Sequence, residues 1–259
     1  LTGPIGISTP LRQGLSLSAV AGALEKAFTM SKTPGVALLI NSPGGSPVQS
    51  NLIFQRIRQL ATENKKRVHV FCEDVAASGG YFLAVAGDEI YADPSSIIGS
   101  IGVISSSFGL EKAIERLGIE RRVYTAGLNK GGLDPFLPEK PEDIERLKAV
   151  QRDIHDVFIG IVKDRRAAKL KGPDAELFSG AYWSAVKSLD YGLIDGIADV
   201  RSKMRETYGD KMRLRVIEAG RGGLLSRFRR LPGLSIPAVS TEEAMIALET
   251  RALWARFGL

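Results

Sequence analysis

The chain has 259 residues, of which 44% are hydrophobic and 25% are charged, and its formal net charge is +6. This length and composition are typical of a folded globular protein with at least one large core. A single cysteine, Cys72, excludes an intrachain disulfide, and with only two histidines we expect neither a metal site nor a cofactor. No apolar run reaches the roughly 20 residues that cross a bilayer.

Short apolar runs alternate with amphipathic stretches along most of the chain. The runs typical of buried strands lie at 35–40, 67–72, 89–92, 102–104 and 121–125. The stretches with helical periodicity or helix-start signals lie at 46–60, 76–86, 110–117, 141–169 and 240–257. This alternation predicts an α/β fold with a largely parallel sheet.

The helix that follows the first apolar run has a clear start signal. Ser46 is the predicted cap, Pro47 suits the first turn, and Gln49 is the predicted capping-box partner of Ser46. Apolar residues then recur at helical spacing, which predicts one face packed on a sheet. The members of that face are Val48, Leu52, Ile53, Ile57 and Leu60.

The composition changes after about residue 215, where glycine and proline become frequent. We therefore predict one large domain over 1–215 and a tail over 216–259 that carries an amphipathic helix at about 240–257. This helix either packs on its own domain or a neighbouring subunit, or it contacts a membrane surface with the help of the basic stretch at 227–230. No basic-and-aromatic alternation accompanies these charges, so no nucleic-acid partner is expected.

Three small-residue segments carry the chemistry. Ser78 lies in Ala-Ser-Gly-Gly at a predicted strand-to-helix turn, where a hydroxyl could be presented to a substrate. Lys130 lies in a glycine-flanked loop, and a lysine that is desolvated loses basicity until it can act as a general base. The Gly44-Gly45 pair after the first strand could turn a backbone N–H towards a developing oxyanion.

Each of these segments taken alone has an ordinary structural explanation, as a helix cap, a solvated loop lysine or a tight turn. Their conjunction is what favours a Ser–Lys hydrolase. A Ser–His–Asp arrangement is less favoured, because neither His69 nor His155 has a serine turn nearby in sequence. For both histidines we predict structural or surface roles.

The order and spacing of these motifs resemble the signal peptide peptidase A (SppA/SohB) family of serine peptidases over about residues 3–200. The matching segments lie at 41–45, 77–81, 99–103, 127–130 and 191–195. The resemblance implies a crotonase-like (Clp-protease-like) spiral of ββα units with largely parallel sheets.

The resemblance also implies a role for each motif residue. Ser78 would be the nucleophile, Lys130 the general base, and Ser100 the residue that holds the lysine amine by a hydrogen bond. The amides of Gly45 and Gly79 would form the oxyanion hole. Further substrate contacts are expected at Gly44, Gly80, Tyr81 and Ile104.

The family further implies peptide substrates, either signal peptides or other membrane-derived and unfolded polypeptides, and a ring-like homo-oligomer. We expect a bacterial protein that is cytoplasmic or peripherally attached to a membrane through the tail. The transmembrane anchor usual in the family is not visible, which leaves open an anchor upstream of Leu1.

Three alternatives remain at this stage. A crotonase-type acyl-coenzyme A enzyme would share the fold and use carboxylates such as Glu73 and Asp74, but it has no need of Ser78, Lys130 and Ser100 together. A non-catalytic assembly or adaptor protein of the same fold would be expected to lack the nucleophile or the base. A phage capsid-maturation protease belongs to the same broad family.

Overall fold

The computed structural model describes residues 1–7, 14–30, 32–127, 129–217 and 241–259, together with the backbone but not the side chains of 241–246 and 249. The chain divides into two compact units. The first unit combines Leu1–Ile101 with Ile159–Leu259, and the second unit is Gly102–Phe158. The predicted boundary at residue 215 adjoins residues 218–240, which lie outside the described part of the chain.

The first unit is built on a largely parallel sheet. Its strands are β1 (Gly35–Ser42), β2 (Arg67–Ala77), β3 (Glu89–Ala92), β4 (Ile97–Gly99), β5 (Tyr182–Ser184) and β6 (Gly196–Ile197). Strand β2 is central: it pairs in parallel with β1 along one edge, and with β3 and then β4 along the other. Strand β6 pairs with β3 in parallel, whereas β5 pairs with β4 in the antiparallel sense. The α/β fold with a largely parallel sheet is therefore confirmed.

Helices connect and cover these strands. They are α1 (Leu17–Thr29), α2 (Pro47–Glu63), α3 (Gly79–Ala84), α4 (Glu111–Arg116), α5 (Pro141–Arg166), α6 (Asp174–Leu177), α7 (Ala185–Asp190), α8 (Val200–Tyr208) and α9 (Thr241–Ala255). A short 3₁₀ turn, Ala167–Lys169, follows α5. Among the described helices, none combines the length and the apolar character needed to cross a bilayer.

Strand β2 is buried along both faces, as expected for a central parallel strand with a nearly continuous apolar sequence. Helix α8 covers part of one face, where Met204 packs with Phe71 and Tyr91. Phe257, just beyond α9, packs with Val75 and Ala77 near the end of the same strand. The described end of the C-terminal helix therefore packs on its own unit.

The strands predicted at 35–40 and 89–92 are confirmed, whereas those at 102–104 and 121–125 are wrong. Both of the latter segments belong to the second unit, where they have no strand partner among the described residues and most of their side chains are exposed. The strand that does form is β4, because Ile97–Gly99 can pair with the end of β2. Three apolar residues in a row do not reveal whether a partner edge exists.

Helix α2 begins as predicted but presents a different face. Ser46 caps it by accepting the amide of Gln49, and Ile53, Ile57 and Leu60 are buried. Val48 and Leu52 are 65% and 41% exposed, so their predicted burial is wrong. The side chain of Gln49 accepts the amide of Leu17 at 2.9 Å, so it supports the start of α1 instead of closing a capping box.

Candidate active site

The loops that carry the predicted site in the first unit follow the carboxyl ends of neighbouring strands. Gly44 and Gly45 follow β1, Ser78 follows β2, and Ser100 follows β4. Because β1 and β4 are both parallel to β2, these three loops emerge at the same edge of the sheet. Open parallel sheets bind ligands at this edge.

Ser78 occupies a strained turn between β2 and α3. Its backbone has φ 52° and ψ −121°, in a region that L-residues rarely adopt. The Ser78 amide donates to the Gly99 carbonyl at 2.8 Å, and its carbonyl accepts the Phe82 amide at 2.9 Å. The half-buried side chain makes no capping hydrogen bond to α3, so helix capping does not use the hydroxyl. A serine on a sharp strand-to-helix turn is the arrangement found at nucleophile elbows.

Gly44 lies directly against this turn. A Cβ atom at Gly44 would stand 2.8 Å from both the Gly79 nitrogen and the Ser78 Cβ, and the residue has φ 99°. The Gly44 amide donates to the Ser42 hydroxyl, and the Gly44 carbonyl accepts the Ile5 amide. Ser42 was not among the predicted site residues, although it lies inside the Asn-Ser-Pro-Gly-Gly motif.

The amide of Gly45 is not used in the bridge between Ile5 and this loop. That bridge consists of the Ile5 amide donating to the Gly44 carbonyl and the Ser46 amide donating to the Ile5 carbonyl. Gly45 is half-buried and close to Ile5 on one side, where a Cβ would stand 2.1 Å from the Ile5 carbonyl oxygen. The bridge to Ile5 therefore does not use the Gly45 N–H, and an oxyanion donor must be free of such a backbone bond.

Close backbone packing also explains the glycines after Ser78. A Cβ at Gly79 would meet the Ser50 hydroxyl at 2.5 Å, and a Cβ at Gly80 would meet the Ser42 carbonyl oxygen at 2.3 Å. Both residues are buried. A side chain at Gly79 would collide with Ser50 of α2, and one at Gly80 with the Ser42 backbone, so the close approach of α3 to α2 and to the end of β1 depends on glycine.

The four predicted substrate contacts lie in different environments. Gly44 and Gly80 are buried against neighbouring backbone, and Ile104 is 67% exposed in the second unit. Tyr81 is fully buried, and its hydroxyl donates to the Leu193 carbonyl at 2.7 Å. In contrast to the expectation from the sequence, the Tyr81 side chain offers a substrate no exposed surface in this structure.

Ser100 follows the strand that neighbours the Ser78 strand. It is 7% exposed and shares with Ser78 a φ of 52°, and its amide donates to the Ala181 carbonyl at 2.7 Å. Its predecessor Gly99 pairs with Ala77 in the sheet and lies against the Trp183 ring. The backbone contacts therefore place Ser100 one strand away from the candidate nucleophile.

Lys130 lies in the second unit, in a turn where its amide donates to the Gly127 carbonyl at 3.1 Å. Gly127 and Gly131 have φ values of 104° and 91°, which glycine adopts without strain, so the chain turns sharply on both sides of Lys130. The Lys130 side chain is exposed. Ser78 lies in the first unit.

The histidines are placed elsewhere. His69 is buried near the start of β2, with Nδ1 at 3.0 Å from a Glu89 oxygen and Nε2 at 2.8 Å from the Tyr208 hydroxyl. Burial lowers the pKa of His69, and the Glu89 carboxylate opposes part of that shift. Nine steps of about 3.3 Å each along β2 separate His69 from Ser78, which is too far for proton transfer. His155 is half-buried on α5 in the second unit.

No group of three or more His, Cys, Asp or Glu side chains in the described ranges could hold a metal ion.

The model of peptidase family S49 matches residues 61–211, which include Ser78, Ser100 and Lys130. The chain belongs to peptidase family S49. The Clp protease model matches residues 6–98, in agreement with a Clp-protease-like α/β fold and a largely parallel sheet. Membership of the SppA/SohB group follows from these matches and from the relatives below.

Relatives of this S49 chain carry two kinds of name. The "Serine protease SPPA, chloroplastic" of Arabidopsis thaliana is 30% identical over 207 residues, covering 72% of this chain and 30% of that protein. "Protease 4" of Haemophilus influenzae is 32% identical over 180 residues, covering 69% of this chain and 28% of that protein. The "Na(+)/H(+) antiporter NhaA" of Brucella abortus is 57% identical over 261 residues, covering 97% of this chain and 35% of that protein.

The chain thus spans about a third of the length of these relatives. The antiporter name applies to the whole Brucella protein, of which 35% is matched here. The peptidase names and the family model agree on the matched segment.

Proposed function

We propose that this chain is a serine endopeptidase that works through a Ser78–Lys130 dyad and an acyl-enzyme. The observation that carries the proposal is the strained turn at Ser78, which stands against Gly44 at the edge where three parallel strands end. A strained backbone at the carboxyl edge of a sheet is a frequent mark of function. In a family S49 chain it supports Ser78 as the nucleophile.

In the proposed reaction, neutral Lys130 takes the proton of the Ser78 hydroxyl as the serine oxygen attacks the scissile carbonyl carbon. The amides of Gly45 and Gly79 stabilise the oxyanion of the tetrahedral intermediate. Lys130 then returns the proton to the leaving amine as the C–N bond breaks. Water attacks the resulting ester with Lys130 again as the base, which releases the acid and restores the Ser78 hydroxyl.

Lys130 must lose water to act as a base near neutral pH, yet its side chain is exposed on the chain described by itself. The second unit also exposes several large apolar side chains before Lys130, namely Ile104 (67%), Phe108 (82%), Leu117 (72%) and Tyr124 (90%). Exposed apolar surface of this kind is typical of interaction sites. We therefore propose that a ring-like homo-oligomer covers this region and desolvates Lys130, with Ser100 holding the amine.

The proposed substrates are signal peptides or other membrane-derived and unfolded polypeptides. The support is the resemblance to SppA-type proteases, together with the exposed Ile104 as a candidate apolar contact. Membrane contact through the tail stays a proposal, because the basic stretch at 227–230 lies outside the described residues. A cytoplasmic or peripheral bacterial location is proposed from the same resemblance to SppA-type proteases.

The acyl-coenzyme A alternative loses support from the comparisons, since both matching family models are peptidases. The adaptor alternative is decided by activity. A synthetic signal peptide and a denatured protein are incubated with wild type, Ser78→Ala, Lys130→Ala and the control Lys112→Ala, and the products are read by mass spectrometry. Lys112 is an exposed lysine of the same unit, on α4.

We expect cleavage by wild type and Lys112→Ala, and loss of cleavage in the other two variants. Full activity of Ser78→Ala would refute the assignment of the nucleophile. Full activity of Lys130→Ala would refute the assignment of the base and leave the serine peptidase class intact. An inactive wild type in its assembled form would favour the adaptor alternative.

A further inference from the structure

A buried tyrosine anchors the turn that carries Ser78. Tyr81 lies three residues after Ser78 in α3 and is fully buried, and its hydroxyl donates to the Leu193 carbonyl at 2.7 Å. Burial raises the pKa of Tyr81, so the hydroxyl keeps the proton that it donates. Only Gly79 and Gly80 stand between Ser78 and this anchor, and glycine backbones have the greatest conformational freedom.

The acceptor belongs to a rigidly held loop at 191–195. Arg166 is 2% exposed, and its guanidinium donates to the Gly192 carbonyl and to both carboxylate oxygens of Asp195. Asp195 in turn exchanges two hydrogen bonds with Ile90 of β3, one through its amide and one through its carboxylate. The Leu193 carbonyl is thus fixed from both flanks to the sheet and to the end of α5.

The same loop also supports the other neighbour of Ser78. The ring of Tyr191 meets Trp183 edge to face, with centroids 5.2 Å apart, and the Trp183 ring lies against Gly99. The Gly99 carbonyl accepts the Ser78 amide at 2.8 Å. The loop at 191–195 therefore supports Ser78 through Gly99 of the neighbouring strand β4 and through helix α3, which follows Ser78.

We propose that Tyr81 is a positioning residue of the peptidase reaction, which fixes the Ser78 hydroxyl and the Gly79 amide through its hydrogen bond to Leu193. This inference rests on the proposed function of Ser78. A nucleophile and an oxyanion donor must be held within a fraction of an ångström of the reactive geometry, and small displacements lower the rate steeply. The hydroxyl of Tyr81 acts on the reaction only through the backbone of α3.

The test compares Tyr81→Phe with Tyr208→Phe as a matched control. Both changes remove one hydroxyl that hydrogen-bonds a buried group, and both keep the ring. Tyr208 bonds His69, near the opposite end of β2 from Ser78. Steady-state kinetics with the full chain in its assembled form are measured on the peptide that wild type cleaves, at temperatures where melting curves show both variants folded.

We expect Tyr81→Phe to lower kcat by about 10- to 100-fold with KM within about twofold, and Tyr208→Phe to keep the wild-type kcat. A purely structural role would lower the melting temperature of both variants without this split between kcat and KM. Equal kcat values for Tyr81→Phe and wild type would overturn the proposal.

Hydrogen exchange, followed by mass spectrometry over residues 78–86, separates this inference from the proposed function. If wild type cleaves no peptide, the proposed function fails, and the anchor is still judged by exchange. Faster exchange over 78–86 in Tyr81→Phe but not in Tyr208→Phe supports the anchor. Unchanged exchange there in Tyr81→Phe shows that the hydroxyl fixes nothing, and the proposal falls.

Discussion

Replacing Gly44 by alanine tests whether the β1 loop and the Ser78 turn share one close-packed site. The added methyl would stand 2.8 Å from the Gly79 nitrogen and the Ser78 Cβ, and 3.0 Å from the Ala77 carbonyl oxygen. Two of these three atoms belong to backbone, so no rotation of a side chain relieves the contact. The substitution also forces an L-residue to adopt a φ of 99°.

The expected destabilisation combines two terms. Holding a non-glycine residue in a sparsely populated backbone region costs about 1 to 3 kcal/mol, and overpacking a filled site costs about 1 to 3 kcal/mol more. Together they lower the free energy of unfolding by about 2 to 6 kcal/mol, and for a chain of this size the midpoint of thermal unfolding falls by about 5 to 20 °C. Peptidase activity should fall at least about 100-fold even where Gly44→Ala is folded, because the displaced atoms are the proposed nucleophile and oxyanion donor.

Gly22→Ala is the matched control. Gly22 lies within α1, and a Cβ there would meet nothing within 4 Å. The same added methyl should stabilise the protein by about 0.5 to 1 kcal/mol, because alanine favours a helix over glycine. Scanning calorimetry and peptide cleavage are measured for both variants. A Gly44→Ala protein that melts with wild type and keeps its activity would refute the packing of Gly44 on Ser78.

Two further changes test the strain at Ser78 and the burial of His69. Ser78→Gly and Ser78→Ala both remove the hydroxyl and should both abolish cleavage. Ser78→Gly should unfold at the higher temperature, because glycine relieves the backbone strain at φ 52°, which is worth about 1 kcal/mol. Equal melting temperatures of the two variants would show that the backbone at Ser78 is not strained. Burial lowers the pKa of His69, so the unfolded chain binds the proton more tightly and stability is lost as pH falls below about 6.5. His69→Gln should lose less stability between pH 7 and 5 in urea titrations, and parallel losses in the two proteins would contradict this.

Much of the site could be predicted from sequence because its residues are determined by the conformation of short turns and by close backbone contacts. The glycines at 44, 45, 79 and 80 are required where backbones approach closely, and the structure shows those approaches. The strand before Ser78 was visible as an apolar run, although it extends to Ala77, beyond its predicted end at residue 72. The continuation was hidden because Glu73 and Asp74 interrupt the run, and both are exposed side chains in the middle of β2.

What sequence could not supply were the long-range partners. The Tyr81 hydroxyl and the Leu193 carbonyl are 112 residues apart, and the Arg166–Asp195 pair that supports them joins the end of α5 to a loop. The position of Tyr81 beside a serine turn suggested a substrate contact. Its burial could not be predicted, because the elements that cover Tyr81 lie far away in sequence. Helix α1 was also missed, although it has a local start signal: Ser16 caps it by accepting the Ala19 amide, and Gln49 of α2 additionally accepts the Leu17 amide.

Trapping the acyl-enzyme shows which residue is the nucleophile. The assembled protein is mixed with a peptide that it cleaves, quenched in acid during turnover, digested and examined by mass spectrometry. We predict that the amino-terminal product, less one water, is attached to the digest fragment that contains Ser78, and that Ser78→Ala shows no adduct. An adduct on another residue of an active enzyme, or a Ser78→Ala variant that still cleaves, would show that Ser78 is not the nucleophile.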